Sequence, residues 1–324
     1  MKNNFSKWGI PAAISATAIV YLARIIDFEG VRAHLTLRAA AILVAALIVY
    51  GAWSLLIEAI TLRRLTHVSR SDFGLITAAR VKAASYLVAL VHYALGAATL
   101  TLLLRRRAGI GVAKSAGIVM LIMMFDLGMV LSLVVVGVTL VSETQVELQL
   151  GLILGVIAFI AGGLALLRAP FSLGLLDRIR NLELFHTART IATRDLVELA
   201  VLRLAFVMGF ELVGWAALYA FEIEVPFGAL LVSFSAVALV AMLPSIAGIG
   251  PSQIAMVEFF RAYGTADNLL ACSIAMSAGL IVMRALIGVV FAREFSREVY
   301  DAAWDAKTLS VSTLSEDEPS EEEA

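Results

Sequence analysis

The stretch SFSAVALVAMLPSIAGIGPSQIAMVEFFRAYG, residues 233–264, decides how the chain is read. Its flanks are apolar enough for a bilayer, yet Pro244, Gly248, Gly250 and Pro251 interrupt the middle. Pro244 removes a backbone donor and the glycines permit a tight reversal, so one continuous straight helix is not expected. Exposed carbonyls are costly in hydrocarbon, and the turn must therefore face protein or a water-filled cavity. Two readings follow: a hairpin that enters and leaves on one side, lining a substrate site, or one kinked span whose prolines its neighbours tolerate.

The rest of the chain supplies the same solvent. Of 324 residues, 61% are hydrophobic and only 16% charged, with a mean hydropathy of +0.93. Soluble domains hold roughly 45–50% apolar residues. The expected class is all-α, a polytopic helical membrane protein. Cys272 is the one cysteine, so no disulfide framework or cysteine metal cluster is available. His34, His67, His92 and His186 lack zinc-site spacing, and neither metal nor cofactor is expected. The start has the basic head and apolar body of a signal peptide. Cleavage at Ala16–Ala18 would fall inside the apolar segment, which favours an uncleaved first span. Six acids between Glu316 and Glu323 mark residues 293–324 as a disordered cytoplasmic tail.

Apolar segments at 8–26, 37–62, 115–141, 148–167, 197–221 and 269–292 read as six full spans. Segments 73–104 and 227–263 are longer and interrupted. Basic runs at Arg63–Arg70 and Arg105–Arg107, with Arg178, Arg180, Arg189 and Arg194, belong in the cytoplasm. A single crossing by 73–104 would put two of these runs on opposite sides. A re-entrant hairpin turning near His92–Gly96 removes that conflict, and the same bookkeeping makes 227–263 a hairpin from outside. Residues 1–292 thus form one membrane domain of two inverted halves, about 8–141 and 148–292, with both termini cytoplasmic in a bacterial inner membrane. Broken helices meeting near the midplane of such repeats are a recurring transporter plan.

Ionisable residues inside spans are costly and are candidates for function. Asp126 and Arg284 lie at similar depth, roughly 16 and 12 Å from the cytoplasmic face at 1.5 Å per residue. Their pairing would join the last helices of the halves, either as a breakable contact or as a permanent salt bridge. Arg203 and Glu211 share nearly one helix face; Arg203 is shallow enough to snorkel to the surface, and Glu211, closer to mid-membrane, is the better candidate. Glu258 and Arg261 can pair at i, i+3. Glu58, Arg80 and Lys82 read as interfacial anchors. Asp126, Glu211 and His92 are the groups able to couple protons, although a lone histidine with apolar flanks is more often a packing residue.

The connector at 168–195 has Leu173, Leu176, Ile179, Leu182 and Phe185 near helical spacing with arginines between them, as in a helix lying on the inner leaflet. No G-x-x-x-x-G-K-[ST] loop, H-E-x-x-H or G-x-S-x-G occurs, so neither an enzyme nor an ATP-driven pump is expected.

The run LPSIAGIGPSQ (243–253), followed by EFFRAYGTADNLLACSIAMSAGLIVMRALIGVV (258–290), resembles the membrane region of the lysylphosphatidylglycerol synthase family, a set of flippase-like proteins. Pro244, Gly248, Ile249 and Gly250 match that family's Pro-x-x-Gly-Gly-Leu-Gly break. The run LLLRRRAGIGVAKSAGIVMLIMMFDL (102–127) is similar to its basic run, link and helix with an acid, here Asp126. Gln253 stands where the family usually has glutamate, and these 324 residues hold no stretch expected to fold as its soluble aminoacyl-transferring domain. The resemblance implies handling of a lipid: translocation of an anionic phospholipid or a polyprenyl-linked head group. An ion-coupled small-solute transporter, or a non-catalytic partner of a cell-envelope lipid enzyme, is the alternative. Membrane lipids are the expected partners, and nucleic acid is not.

Overall fold

The computed structural model describes residues 36–66, 73–90, 93–141, 189–241 and 250–292, with helical positions 151, 154, 155, 158 and 162. The expected span 8–26, most of 148–167, the connector helix and the tail lie outside the described residues, as do His92, Pro244 and Gly248. All regular structure among the described residues is helical. The elements are α1 (Leu37–Thr66), α2 (Leu75–Ala89), α3 (Tyr93–Ala108), α4 (Val112–Val141), α5 (Thr193–Ala220), α6 (Phe227–Ala241), α7 (Pro251–Phe260) and α8 (Ala266–Ala292).

Among the described residues three helices are long and apolar enough to cross a membrane: α1, α4 and residues Ala266–Val290 of α8. At 1.5 Å per residue the 30 residues of α1 extend about 45 Å, more than the roughly 30 Å of a hydrocarbon core. Burial is distributed as lipid requires. Val44, Ile48, Val201, Leu212, Val282 and Leu286 are exposed, while Arg203, Glu211 and Glu58 are buried. In water this distribution would be costly; in a bilayer the apolar outer face is solvated and the polar groups find each other inside.

Helices α1 and α5 run antiparallel and are pinned at three levels. Arg64 Nε meets Glu198 Oε1 at 2.9 Å at one end, Trp53 Nε1 donates to Ala205 O at 2.9 Å in the middle, and Arg38 pairs with Glu222 at the other end. The end pairs are largely exposed and contribute little; the register comes from the buried interface.

The shorter helices fold back on each other. Ala78 and Val81 in the first half of α2 share a cluster with Leu103, Leu104 and Ala108 in the last turns of α3. A Cβ on Gly96 would lie 2.5 Å from Ala89 Cβ and 2.8 Å from Ala89 Cα, so the arms close only with glycine there. In the second pair, Ser233 Oγ near the middle of α6 donates to Phe259 O near the end of α7 at 3.4 Å. Gly250 takes φ 115°, Pro251 occupies the first turn of α7, and Gln253 Oε1 accepts the Gly250 N–H at 2.5 Å. The glycine and proline of the interrupted stretch therefore start a helix, which is where proline costs least.

The packing has an internal two-fold pattern. Helix α4 lies on α6 and α8 on α2; α2 lies on α3 as α6 on α7; α1 meets α8 as α5 meets α4. Exchanging α1–α4 for α5–α8 leaves this set of pairs unchanged. One constant shift in residue number carries Glu58 to Glu211 and Lys82 to Ser235, and carries Val112 at the start of α4 to within a residue of Ala266 at the start of α8. One core cluster gathers the Leu62, Leu104 and Ile118 end of the bundle, and another gathers the Ala39, Phe221 and Phe260 end. The α2–α3 pair is built into the first and the α6–α7 pair into the second.

Candidate functional site

Four charged side chains from four helices converge inside the bundle. Glu58 of α1 is 3% exposed and Arg203 of α5 is fully buried. Lys82 Nζ of α2 lies 3.0 Å from Glu58 Oε1, and Arg203 Nη1 lies 3.4 Å from the same oxygen. Asp126 Oδ1 of α4 also lies 3.4 Å from Arg203 Nη1, and Arg203 Nη2 donates to Thr61 Oγ1 at 3.4 Å. The guanidinium carbon sits 4.6 Å from the centroid of the Phe206 ring, whose face favours a desolvated cation. Two cations and two carboxylates give a neutral cluster, which is how charge survives burial.

The pairing is loose. Charge-assisted N–H···O bonds usually span about 2.7–2.9 Å. The three contacts of Arg203 are all at 3.4 Å, and Glu58 Oε2, Asp126 Oδ1 and Arg203 Nε have no hydrogen-bond partner among the described residues. Such a cluster retains donor and acceptor capacity for a charged guest. A shallow cleft, with room for about one water, is lined by Thr61, Arg64, Leu65, Asp195, Glu198, Leu199 and Leu202 at the adjoining end of α1 and α5. Thr61 belongs to both the cleft and the cluster.

A second buried acid stands about 12 Å further along α5, eight residues at 1.5 Å each. Glu211 is 2% exposed and accepts from Ser235 Oγ of α6 at 2.7 Å, while its Oε2 has no hydrogen-bond partner among the described residues. Gln253 forms a third polar point. Its Oε1 accepts from Gly250 N and from Ser252 Oγ at 3.2 Å, and its Nε2 donates to Ser277 Oγ of α8 at 3.1 Å. An amide both accepts and donates here, so Gln253 ties the turn to α8 without burying a charge.

Of the candidates read from sequence, Asp126, Arg203, Glu211 and Gln253 occupy the interior, Gly250 and Pro251 start α7, and Gly96 lies in the first turn of α3 against Ala89. The expected contact of Asp126 with Arg284 is not made; Asp126 turns to Arg203. Equal depth does not fix direction around a helix, and α4 packs on α5 while α8 packs on α1 and α2. Arg284 is half-buried and forms no ion pair among the described residues. Glu258 and Arg261 approach at 3.7 Å as expected, but both are exposed and stand apart from the interior. Glu58 and Lys82 are central rather than interfacial, the opposite of their sequence reading. No group of three or more His, Cys, Asp or Glu suited to a metal occurs among the described residues. No family of known proteins, no characterised protein sequence and no solved structure matches the chain.

Proposed function

We propose that the chain is a membrane transporter that moves an amphipathic lipid, an anionic phospholipid or a polyprenyl-linked head group, between leaflets. The observation that carries this reading is the buried, loosely paired cluster of Glu58, Lys82, Asp126 and Arg203, which joins both halves of a bundle whose outer face is apolar. A phosphate head group competes with the two carboxylates for Arg203 and Lys82, and a guanidinium suits it because its planar fork matches phosphate oxygens. The acyl tails stay in lipid against the exposed Leu, Ile and Val side chains. The resemblance of residues 102–127 and 243–290 to a flippase-like family favours a lipid cargo.

In this reading α5 is a further span, α2–α3 is re-entrant from the cytoplasm and α6–α7 from outside, and the halves rock about the charge cluster. The Arg64–Glu198 end faces the cytoplasm of a bacterial inner membrane and the Arg38–Glu222 end faces outward. With Cys272 replaced by serine, a cysteine at Thr265 is expected to react with membrane-impermeant thiol reagents in whole cells and one at Thr77 is not. The reverse pattern would overturn the orientation.

The functional test is reconstitution into liposomes carrying fluorescent phospholipid in the inner leaflet with a quencher outside. Wild type is expected to speed the loss of fluorescence, and Asp126→Asn and Arg203→Lys to reduce that acceleration at least tenfold. Arg203→Lys keeps the charge and loses the fork, so it separates phosphate recognition from neutralisation. No acceleration with several lipid classes would instead favour an ion-coupled solute transporter.

A further inference from the structure

The two-fold pattern makes the halves comparable residue by residue, and the comparison isolates one difference. The shift that carries Glu58 to Glu211 also carries Lys82 to Ser235, Tyr50 to Arg203 and Asp126 to Gly279. The separation of 24 residues between Glu211 and Ser235 recurs between Glu58 and Lys82. The contacts correspond as well. Lys82 on the first arm of one hairpin reaches Glu58 at 3.0 Å, and Ser235 on the first arm of the other reaches Glu211 at 2.7 Å. The second cation on Glu58 is Arg203 from the opposite half, and its counterpart is Tyr50, whose ring lies 6.1 Å from that of Phe210 beside Glu211. Thus the carboxylate is retained in both halves, and each cation that neutralises it in the first is a hydroxyl residue in the second.

A carboxylate buried in apolar surroundings needs a neutralising partner. Glu211 has none fixed to the chain among the described residues. Of the helices packed on α5, α1 brings Tyr50 and Glu58 to the interior, α4 brings Asp126, α6 no ionisable residue, and α8 Cys272 and Arg284. None forms an ion pair with Glu211. A sodium ion would require about six oxygen ligands, as hard cations do. Glu211 and Ser235 supply too few, whereas the unpartnered Oε2 suffices for a proton.

We propose that Glu211 is a proton-carrying site, the proton taking in the second half the place that Lys82 and Arg203 hold around Glu58 in the first. Resting on the transporter reading, this makes lipid movement proton-coupled. One proton enters from the aqueous phase on one side, binds Glu211 Oε2 and leaves on the other side when the halves rock. Ser235 holds Oε1 in both states, its hydroxyl donating throughout.

The test is infrared spectroscopy of the purified full-length protein in lipid at neutral pH, which detects the carbonyl stretch of a protonated carboxylic acid. Wild type is expected to show that band, to shift it on H/D exchange and to keep it when sodium is added. Glu211→Gln is expected to lose it. Ser235→Lys rebuilds the arrangement of the first half and is also expected to lose it, whereas Ser235→Ala, which removes the hydrogen bond without adding a charge, is expected to keep the band at a shifted frequency. A band absent from wild type, a band that sodium removes, or a band that survives in Glu211→Gln would each overturn the proposal.

In liposomes, an imposed pH gradient is expected to accelerate lipid movement by wild type, and movement by Ser235→Lys is expected not to respond. Movement by wild type that ignores the gradient would overturn the coupling. The infrared result does not depend on cargo. A Glu211 band in a protein that moves no lipid would sustain the proton site and sink the lipid reading instead.

Discussion

Arg203→Ala is expected to destabilise the purified protein by about 3–5 kcal/mol, the loss measured when one partner of a buried charge pair is removed. Among the described residues the change leaves Asp126 with no cation and Glu58 with Lys82 alone. It also opens a hole at a fully buried position beside Phe206. Thermal unfolding in detergent would report the loss as a large drop in midpoint. The companion variant replaces Glu58, Lys82 and Arg203 by methionine and Asp126 by leucine, removing all four charges at similar volume. Buried charge networks replaced whole by apolar side chains are often no less stable than the parent. The quadruple variant is therefore expected to unfold near the wild-type midpoint and to move no lipid. If instead it were unstable, the cluster would be a brace; if it were stable and active, the cargo path would lie elsewhere.

The contrast between these variants also shows what was legible in the sequence. Asp126, Arg203 and Glu211 stand out because each interrupts an apolar run, and all three are in the interior. The helix start at Gly250 and Pro251 and the close approach at Gly96 were legible for the same reason: special backbone residues in a segment that otherwise has no use for them. The rotation of each helix was not legible, since depth from the membrane surface gives position along an axis and not direction around it. Asp126 was accordingly matched with Arg284 instead of Arg203.

Glu58 and Lys82 were missed because they lie within two or three turns of the basic runs that mark the cytoplasmic surface, where long side chains usually snorkel. The signal that finds them is long-range. Their separation repeats between Glu211 and Ser235, and two positions that look unremarkable alone become a pair once the halves are superposed in number. Polar residues at matched places in a repeat carry information that composition and local hydropathy do not.

Gly214→Val is expected to cost about 3 kcal/mol, at the upper end of overpacking effects. A methyl built on Gly214 falls 2.6 Å from Phe234 Cε2 and closer still to Cζ. The Phe234 ring is fully buried and tilted against Phe210 at 5.1 Å between centroids, so it has nowhere to turn. Gly279 is a useful comparison because its added methyl would meet Leu47, most closely at Cδ1, the tip of a flexible side chain. Gly279→Ala is expected to be nearly neutral, since the rotamer change is offset by roughly 1 kcal/mol of helix propensity. Gly214 lies one turn beyond Glu211, and Phe234 directly precedes Ser235. The bare backbone at Gly214 lets α6 approach α5 closely enough for Ser235 to reach the acid at 2.7 Å. Gly214→Val should therefore do more than lower the unfolding midpoint: the carbonyl band of Glu211 should move as its hydrogen bond to Ser235 is lost. A lowered midpoint with that band unmoved would mean that α6 adjusts around the valine, and that the closeness of the two helices is not what holds Ser235 on Glu211.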